Sequence, residues 1–330
     1  MPTGTKYATY YVPTIGLSKT KRWLNSKWCI IVAGILVSAS LLRFYKSAHD
    51  SGIYSHHRSG PDGSYFYKPK RPSNWKFKSD TMFVDNIYVI STFDRTDRRG
   101  RMQSIFDHLG IDVQYARGVD MEREKYKFGL PQHYLDAYHS GVIGCWQSHL
   151  RVWRDIIQKG HETAMVLEDD VDFQGNIMSW IKKGLDVASK INRETTNSTE
   201  LVWDKIYFGH CGEVEDERPP LAPDVPYLFH SKRPLCDHGY LLTRHGAQVL
   251  VDLLSKRITS AIDFEVSMAI YRGKILSYSY YPTPATQRRD LTPIPDLGNG
   301  FLDKPANSVL DFVKRFGHIY NAFEVQAFGL

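Results

Sequence analysis

Glu168-Asp169-Asp170-Val171-Asp172 places four carboxylates in five positions, directly after the apolar run Ala164-Met165-Val166-Leu167. That run reads as a buried strand, and ligands of open α/β sheets sit beyond the carboxyl ends of such strands. Carboxylates packed this closely repel one another, and a divalent cation taking hard oxygen ligands removes the penalty. A cation held with open positions can meet a diphosphate and neutralise charge growing on a leaving group. An acidic loop that caps the next helix would have a similar composition. Such loops seldom concentrate four acids against a strand end, so metal binding is the favoured reading.

Two other groups fall at corresponding places. Asp94-Arg95-Thr96-Asp97-Arg98-Arg99 follows the apolar stretch Asn86–Ser91. Its guanidinium forks suit phosphates, and its Asp–Arg spacing equally suits a solvated helix face. Gly141-Val142-Ile143-Gly144-Cys145-Trp146-Gln147-Ser148-His149 reads as a tight turn entering a helix, whose amino end favours anions. His149 there is either a ligand contact or a hydrogen-bonded structural residue.

These residues need a scaffold of alternating strands and helices, and the pattern supplies one. Strands are expected at Asn86–Ser91, Val113–Ala116, Thr163–Leu167, Ile206–Phe208, Gly239–Leu242 and Ile275–Tyr280. Asp94 is placed to cap a helix carrying Met102, Ile105, Phe106 and Leu109 that Gly110 ends. Further helices are expected over Ser148–Lys159, Ile177–Ile191, His245–Leu254 and Phe264–Tyr271. The alternation predicts a single α/β domain with a mainly parallel sheet.

Four segments occur in one order: Ile87–Met102, Gly141–Leu150, Met165–Val171 and Gly239–Leu250. Together they resemble glycosyltransferase family 25 over roughly residues 84–290. The resemblance implies a GT-A-like, Rossmann-type fold, a UDP-sugar donor (usually UDP-galactose), manganese or magnesium dependence and inversion at the anomeric carbon. It puts the metal–diphosphate cluster on Asp170 with Glu168 or Asp172. Donor contacts map onto the end of the first strand (Ile90, Ser91), onto Arg95 or Arg98, and onto Asp169. Gln287, in the closing Gln287-Arg288-Arg289-Asp290, would clamp the diphosphate. Inverting transfer needs a carboxylate to take the acceptor proton. Ala261-Ile262-Asp263-Phe264 resembles the family's late aspartate stretch, so Asp263 is expected as base, with Glu265 as its rival. Ser91-Thr92-Phe93 departs from the usual Asn-Leu-Asp of the family. Asp237-His238 precedes an expected strand and reads mainly as structural.

The ends of the chain suggest where this domain works. Of the formal net charge of +6, the tail 1–27 supplies five through Lys6, Lys19, Lys21, Arg22 and Lys27, leaving the rest nearly neutral. A nucleic-acid partner is therefore not expected. Trp28–Leu42 is uncharged and would span about 22 Å as a helix, or about 27 Å when extended to Tyr45. That suits a thin bilayer, and the basic flank keeps the amino terminus cytosolic. The expected organisation is a tail 1–27, a transmembrane signal anchor 28–45, a stem 46–82, a transferase domain 83–292 and a C-terminal extension 293–330. A type II protein of the Golgi or endoplasmic reticulum follows, with the domain lumenal and the acceptor a glycan, glycoprotein or glycolipid. Three cysteines lie beyond the anchor and allow one internal disulfide, Cys211 and Cys236 being nearest in sequence. Asn197-Ser198-Thr199 is a glycosylation sequon. A metal-dependent phosphodiesterase or nuclease, or an inactive glycan-binding scaffold, would also fit clustered acids on this fold.

Overall fold

The computed structural model of the chain describes residues 65–67, 83–124, 132–196, 201, 203–212, 219–288, 305 and 307–317. The tail, the anchor segment 28–45, most of the stem, the sequon at Asn197, and Arg289 and Asp290 lie outside the described residues. No helix among the described residues is long and apolar enough to cross a membrane.

The elements run β1 (Phe66–Tyr67), β2 (Asn86–Ser91), α1 (Thr96–Leu109), β3 (Gln114–Arg117), α2 (Met121–Glu124), α3 (Gln132–Ala137), α4 (Ser140–Lys159), β4 (Thr163–Glu168) and β5 (Val171–Phe173). Then follow α5 (Ile177–Thr196), β6 (Lys205–Cys211), β7 (Leu228–His230), β8 (Leu235–Thr243), α6 (Arg244–Leu254), α7 (Ile262–Tyr271), β9 (Ser277–Tyr280), β10 (Ala285–Gln287) and α8 (Val309–Phe316). Among the described residues, eight strands form one sheet in the order β1-β3-β2-β4-β8-β6-β9-β7, and β10 pairs β5 separately. Parallel ladders join β3·β2, β2·β4 and β6·β9. Strand β8 lies antiparallel between β4 and β6 and joins the two parallel parts, so the sheet is mixed.

Strand alternation divides the core, because successive side chains point to opposite faces. Ile87, Val89, Met165, Leu167, Ile206, Phe208 and Leu241 belong to one buried cluster, with Ile105 and Phe106 of α1 and Ile181 of α5. Tyr88, Ala164, Val166, Tyr207, Tyr240 and Leu242 belong to the other, with Trp146 and Trp153 of α4, Leu250 of α6 and Val266 of α7. Helices therefore cover both faces. Phe66 and Tyr67 of the expected stem pair with β3. Helix α8, from the expected extension, places Val309, Leu310 and Val313 in the first cluster.

Two local expectations are corrected. Asp94 does not cap α1; the cap position is Arg95, with no side-chain cap bond. Helix α4 begins at Ser140 rather than Ser148, so Gly141 and Gly144 lie within it instead of forming a turn. A Cβ on Gly144 would stand 2.5 Å from the Val119 carbonyl oxygen, so this glycine permits close approach of helix and chain. Ser148 Oγ reinforces the approach by accepting from Val119 N at 2.8 Å and donating to Gly144 O at 2.6 Å. Tertiary packing overrides the low helix propensity of glycine here.

Candidate active site

Strand β4 delivers Glu168 to the carboxyl edge of the sheet, and Asp169-Asp170 turn the chain into β5. Pairing of β5 with β10 sets Gln287 opposite Val171, and Arg288 N donates to Asp170 O at 2.8 Å. Gln287 Nε2 consequently donates to Glu168 Oε2 at 3.3 Å and to Asp170 Oδ2 at 3.2 Å. From α1, Arg98 Nη1 donates to Asp169 Oδ1 at 2.8 Å and Asp170 Oδ2 at 2.9 Å. Ser91 Oγ, at the end of β2, donates to Asp169 Oδ2 at 2.7 Å. Residues of β2, α1 and β10 thus converge on one acidic turn.

This turn borders a cleft of about 300 Å³. Gly141, Val142 and Cys145 of α4 form one wall, and Ala261, Ile262 and Asp263 form another. Glu168 and Gln287 line it beside Cys236 and Asp237 of β8. Cys236 is disulfide-bonded to Cys211, and its N–H donates to Asp263 Oδ2 at 3.0 Å. Phe264 N donates to Asp263 Oδ1 at 2.9 Å, so two backbone donors hold this carboxylate at the cleft.

The expected site residues separate into those the fold gathers and those it does not. Glu168, Asp169, Asp170, Ser91, Arg98 and Gln287 come together. Asp172 does not. Its carboxylate is fully buried and accepts from Arg288 Nη1 at 2.8 Å, Ser308 Oγ at 2.6 Å and Leu310 N at 3.0 Å. Paired in register with Thr286 in the β5–β10 ladder, it anchors the segment entering α8, and its lone pairs are spent on that task instead of on a cation. Arg95 forms a two-pronged pair with Asp97, at 3.0 Å for both bonds, on the surface, in keeping with the solvated-face reading for that residue. Ile90 packs its side chain against the second core cluster and is not among the residues lining the cleft. Glu265 accepts from Thr259 Oγ1 at 2.7 Å and is not among the residues lining the cleft.

Beneath the cleft lies a buried pair that the sequence reading missed. Lys205 Nζ donates to Asp237 Oδ1 at 2.8 Å, both side chains being essentially inaccessible. Tyr207 Oη donates to the same oxygen at 2.7 Å. The available signal was a lysine heading the otherwise apolar Ile206-Tyr207-Phe208 strand.

The cleft is strongly anionic. Burial, reinforced by Glu168 and Asp169, raises the Asp170 carboxyl from the ordinary 3.8 to about 7, with Arg98 and Gln287 opposing the shift. Burial also pushes the Cys145 thiol well up, and Glu168, Asp263, Asp237 and Asp170 add to the effect. A carboxyl raised in the folded state contributes stability that is full below the unfolded value and lost as pH rises through the folded one. In chelator, thermal stability is therefore expected to fall as pH rises from about 4 to 7.5. Manganese should reduce this slope, and Asp170→Asn should remove much of it; equal slopes in the wild type and the variant would contradict the assignment. Closely set carboxylate oxygens in anionic excess fit a hard divalent cation, with the half-buried Glu168 and the buried Asp170 as the residues able to hold it.

Fold and site together define an α/β protein with an acid-lined cleft at the carboxyl edge of its sheet. Residues 84–266 match the family model described as glycosyltransferase family 25 (LPS biosynthesis protein), and the chain belongs to that family. A glycosyltransferase 25 family member of Aedes aegypti is 32% identical over 190 residues, covering 54% of this chain and 29% of that protein. Procollagen galactosyltransferase 2 of Homo sapiens is 29% identical over 183 residues, covering 52% and 28%. A Bos taurus protein named "Probable inactive glycosyltransferase 25 family member 3" is 27% identical over 194 residues, covering 56% and 30%. The matched part of this chain thus spans under a third of the length of these relatives.

Proposed function

We propose that this glycosyltransferase moves a galactosyl group from UDP-galactose to an acceptor hydroxyl, with inversion and with the help of manganese or magnesium. The observation that carries the reading is that Glu168, tied through Gln287 to the neighbouring Asp170, lines the same cleft as Asp263. The name of the human relative supports galactose as the sugar. A divalent cation on Glu168 and Asp170 would supply positive charge to the leaving diphosphate. Arg98 and Gln287 keep the acids oriented at the cleft, so little reorganisation accompanies reaction. Asp263 accepts the acceptor's hydroxyl proton while that oxygen attacks the anomeric carbon from the face opposite UDP. The new glycosidic bond forms as the bond to the diphosphate oxygen breaks, and the proton then passes from Asp263 to solvent.

Calorimetry of UDP binding with and without manganese tests the metal assignment. Asp170→Asn should weaken manganese-assisted uptake by on the order of 100-fold, since losing even an outer partner of a metal site costs ~10–100-fold. Product analysis with UDP-galactose separates the alternatives. Transfer yields UDP and a glycosylated acceptor, whereas a phosphodiesterase would cleave the diphosphate. The name of the bovine relative favours one further reading, a protein that binds the donor without turnover. Intact uptake with no product from a broad acceptor panel would select it.

The basic tail, the apolar segment 28–45 and the stem support a type II anchor in the Golgi or endoplasmic reticulum membrane, with the domain lumenal. The Cys211–Cys236 disulfide suits that oxidising compartment. In sealed microsomes, external protease is expected to leave the domain intact; its digestion would reverse the topology.

A further inference from the structure

The wall of the cleft formed by α4 carries ligands of a softer kind than the acidic turn. Cys145 and His149 are one helical turn apart at i, i+4, so they project from one face of α4. Glu168 faces them from the end of β4. The Cys145 thiol, a His149 ring nitrogen and a Glu168 carboxylate oxygen all lie within 4.8 Å of one another.

The surroundings of His149 supply an independent observation. Its ring is buried, and Nδ1 lies 2.9 Å from Tyr240 Oη. Nε2 is turned toward Glu168 Oε1 at 3.4 Å. Trp153 Nε1 donates to the same Tyr240 oxygen at 2.8 Å and fixes the phenol. A cation on Nε2 would leave the ring proton on Nδ1, where the Tyr240 oxygen accepts it. Outer partners of this kind orient histidines that ligate metals. Cys145 and Glu168 both line the cleft, so a cation here would have space for an exchangeable fourth ligand.

Sulfur, imidazole and one carboxylate with an open position is a zinc-type donor set, whereas an all-oxygen set suits manganese or magnesium. The other cluster of three ligand-type side chains within such reach among the described residues is Cys211, Cys236 and His238. Its two sulfurs are joined in a disulfide and offer no thiolate.

We propose that Cys145, His149 and Glu168 form a zinc site on the cleft wall, and that zinc held there withdraws Glu168 from the cation at the acidic turn. Zinc then opposes manganese-assisted donor binding. The competition rests on the function proposed above; the zinc site itself does not. Coordination displaces the thiol proton to solvent and involves no change of redox state.

The test uses the full chain freed of metal by chelator, with cobalt(II) as the spectroscopic probe. Wild type and Cys29→Ser, which removes the cysteine of the apolar segment 28–45, are expected to develop a near-ultraviolet thiolate-to-cobalt band. Cys145→Ser should lack the band and bind zinc at least about 10-fold more weakly. Zinc should also slow alkylation of Cys145 in the wild type, read by peptide mapping, which requires no variant to fold. A missing band in the wild type, a band persisting in Cys145→Ser, or alkylation indifferent to zinc overturns the site. Zinc should weaken manganese-assisted UDP uptake in the wild type and not in Cys145→Ser; an equal effect on both overturns the competition. Should the wild type take up no UDP with manganese, the transferase reading fails while the cobalt band still decides the zinc site.

Discussion

Asp263→Asn is expected to lower turnover about 10²–10⁴-fold, the usual range for removing a general base, while UDP affinity in manganese stays within about twofold. The substitution is nearly isosteric, and the amide oxygen can still accept from a backbone N–H where the carboxylate now meets Cys236 and Phe264. What it removes is the capacity to take a proton. Glu265→Gln serves as the comparison, because Glu265 is tied to Thr259 away from the cleft, and it should change turnover by less than about threefold. The measurement is single-turnover transfer alongside UDP calorimetry. Unchanged turnover in Asp263→Asn would dismiss it as the base, and a loss confined to Glu265→Gln would transfer the role.

Lys205→Met is expected to destabilise the fold by about 3–5 kcal/mol, because it strands Asp237 as an uncompensated buried charge. Against a domain total of about 5–15 kcal/mol, this is a large fraction, corresponding to a fall in Tm of roughly 10 °C. The ammonium lies 3.7 Å from the Tyr240 ring centroid and 4.3 Å from that of Tyr207. Burial pulls the Lys205 pKa down, and Asp237 opposes that pull by supporting the charged form. Replacing both partners, Lys205→Met with Asp237→Leu, should recover much of the loss, since the isolated charge is what costs most. Urea denaturation of the three variants checks this; a loss below about 1 kcal/mol in Lys205→Met would show that the pair carries little. Asp237 also lines the cleft, so the double variant separates its structural contribution from any effect on transfer.

Much of the scaffold was legible in local pattern. Asn86–Ser91 forms the expected strand with the expected ends, and the strand at Thr163 extends by one residue to Glu168. Both have apolar runs bounded by polar residues, so burial and periodicity agree. The left-handed conformations of Gly110 and Gly160 end α1 and α4 as expected, at φ values of 68° and 70°. The start of α4 was misread because glycine propensity is a local quantity and the fit against Val119 is not. Strands β5 and β10 were missed, being three residues each and too short for alternation to register.

The sequence alone determined that acids stand at a strand end, that strands alternate with helices, and which family motifs occur in order. Each of these depends on neighbours along the chain, through side-chain periodicity and backbone preference. Only the tertiary structure decided that Gln287 meets Asp170, at a separation of 117 residues, and that Asp172 faces Arg288 and Ser308. It likewise split the arginines, sending Arg98 to the acidic turn and leaving Arg95 on the surface. These outcomes depend on ladder register and helix packing, where a shift of one residue reverses the face a side chain occupies.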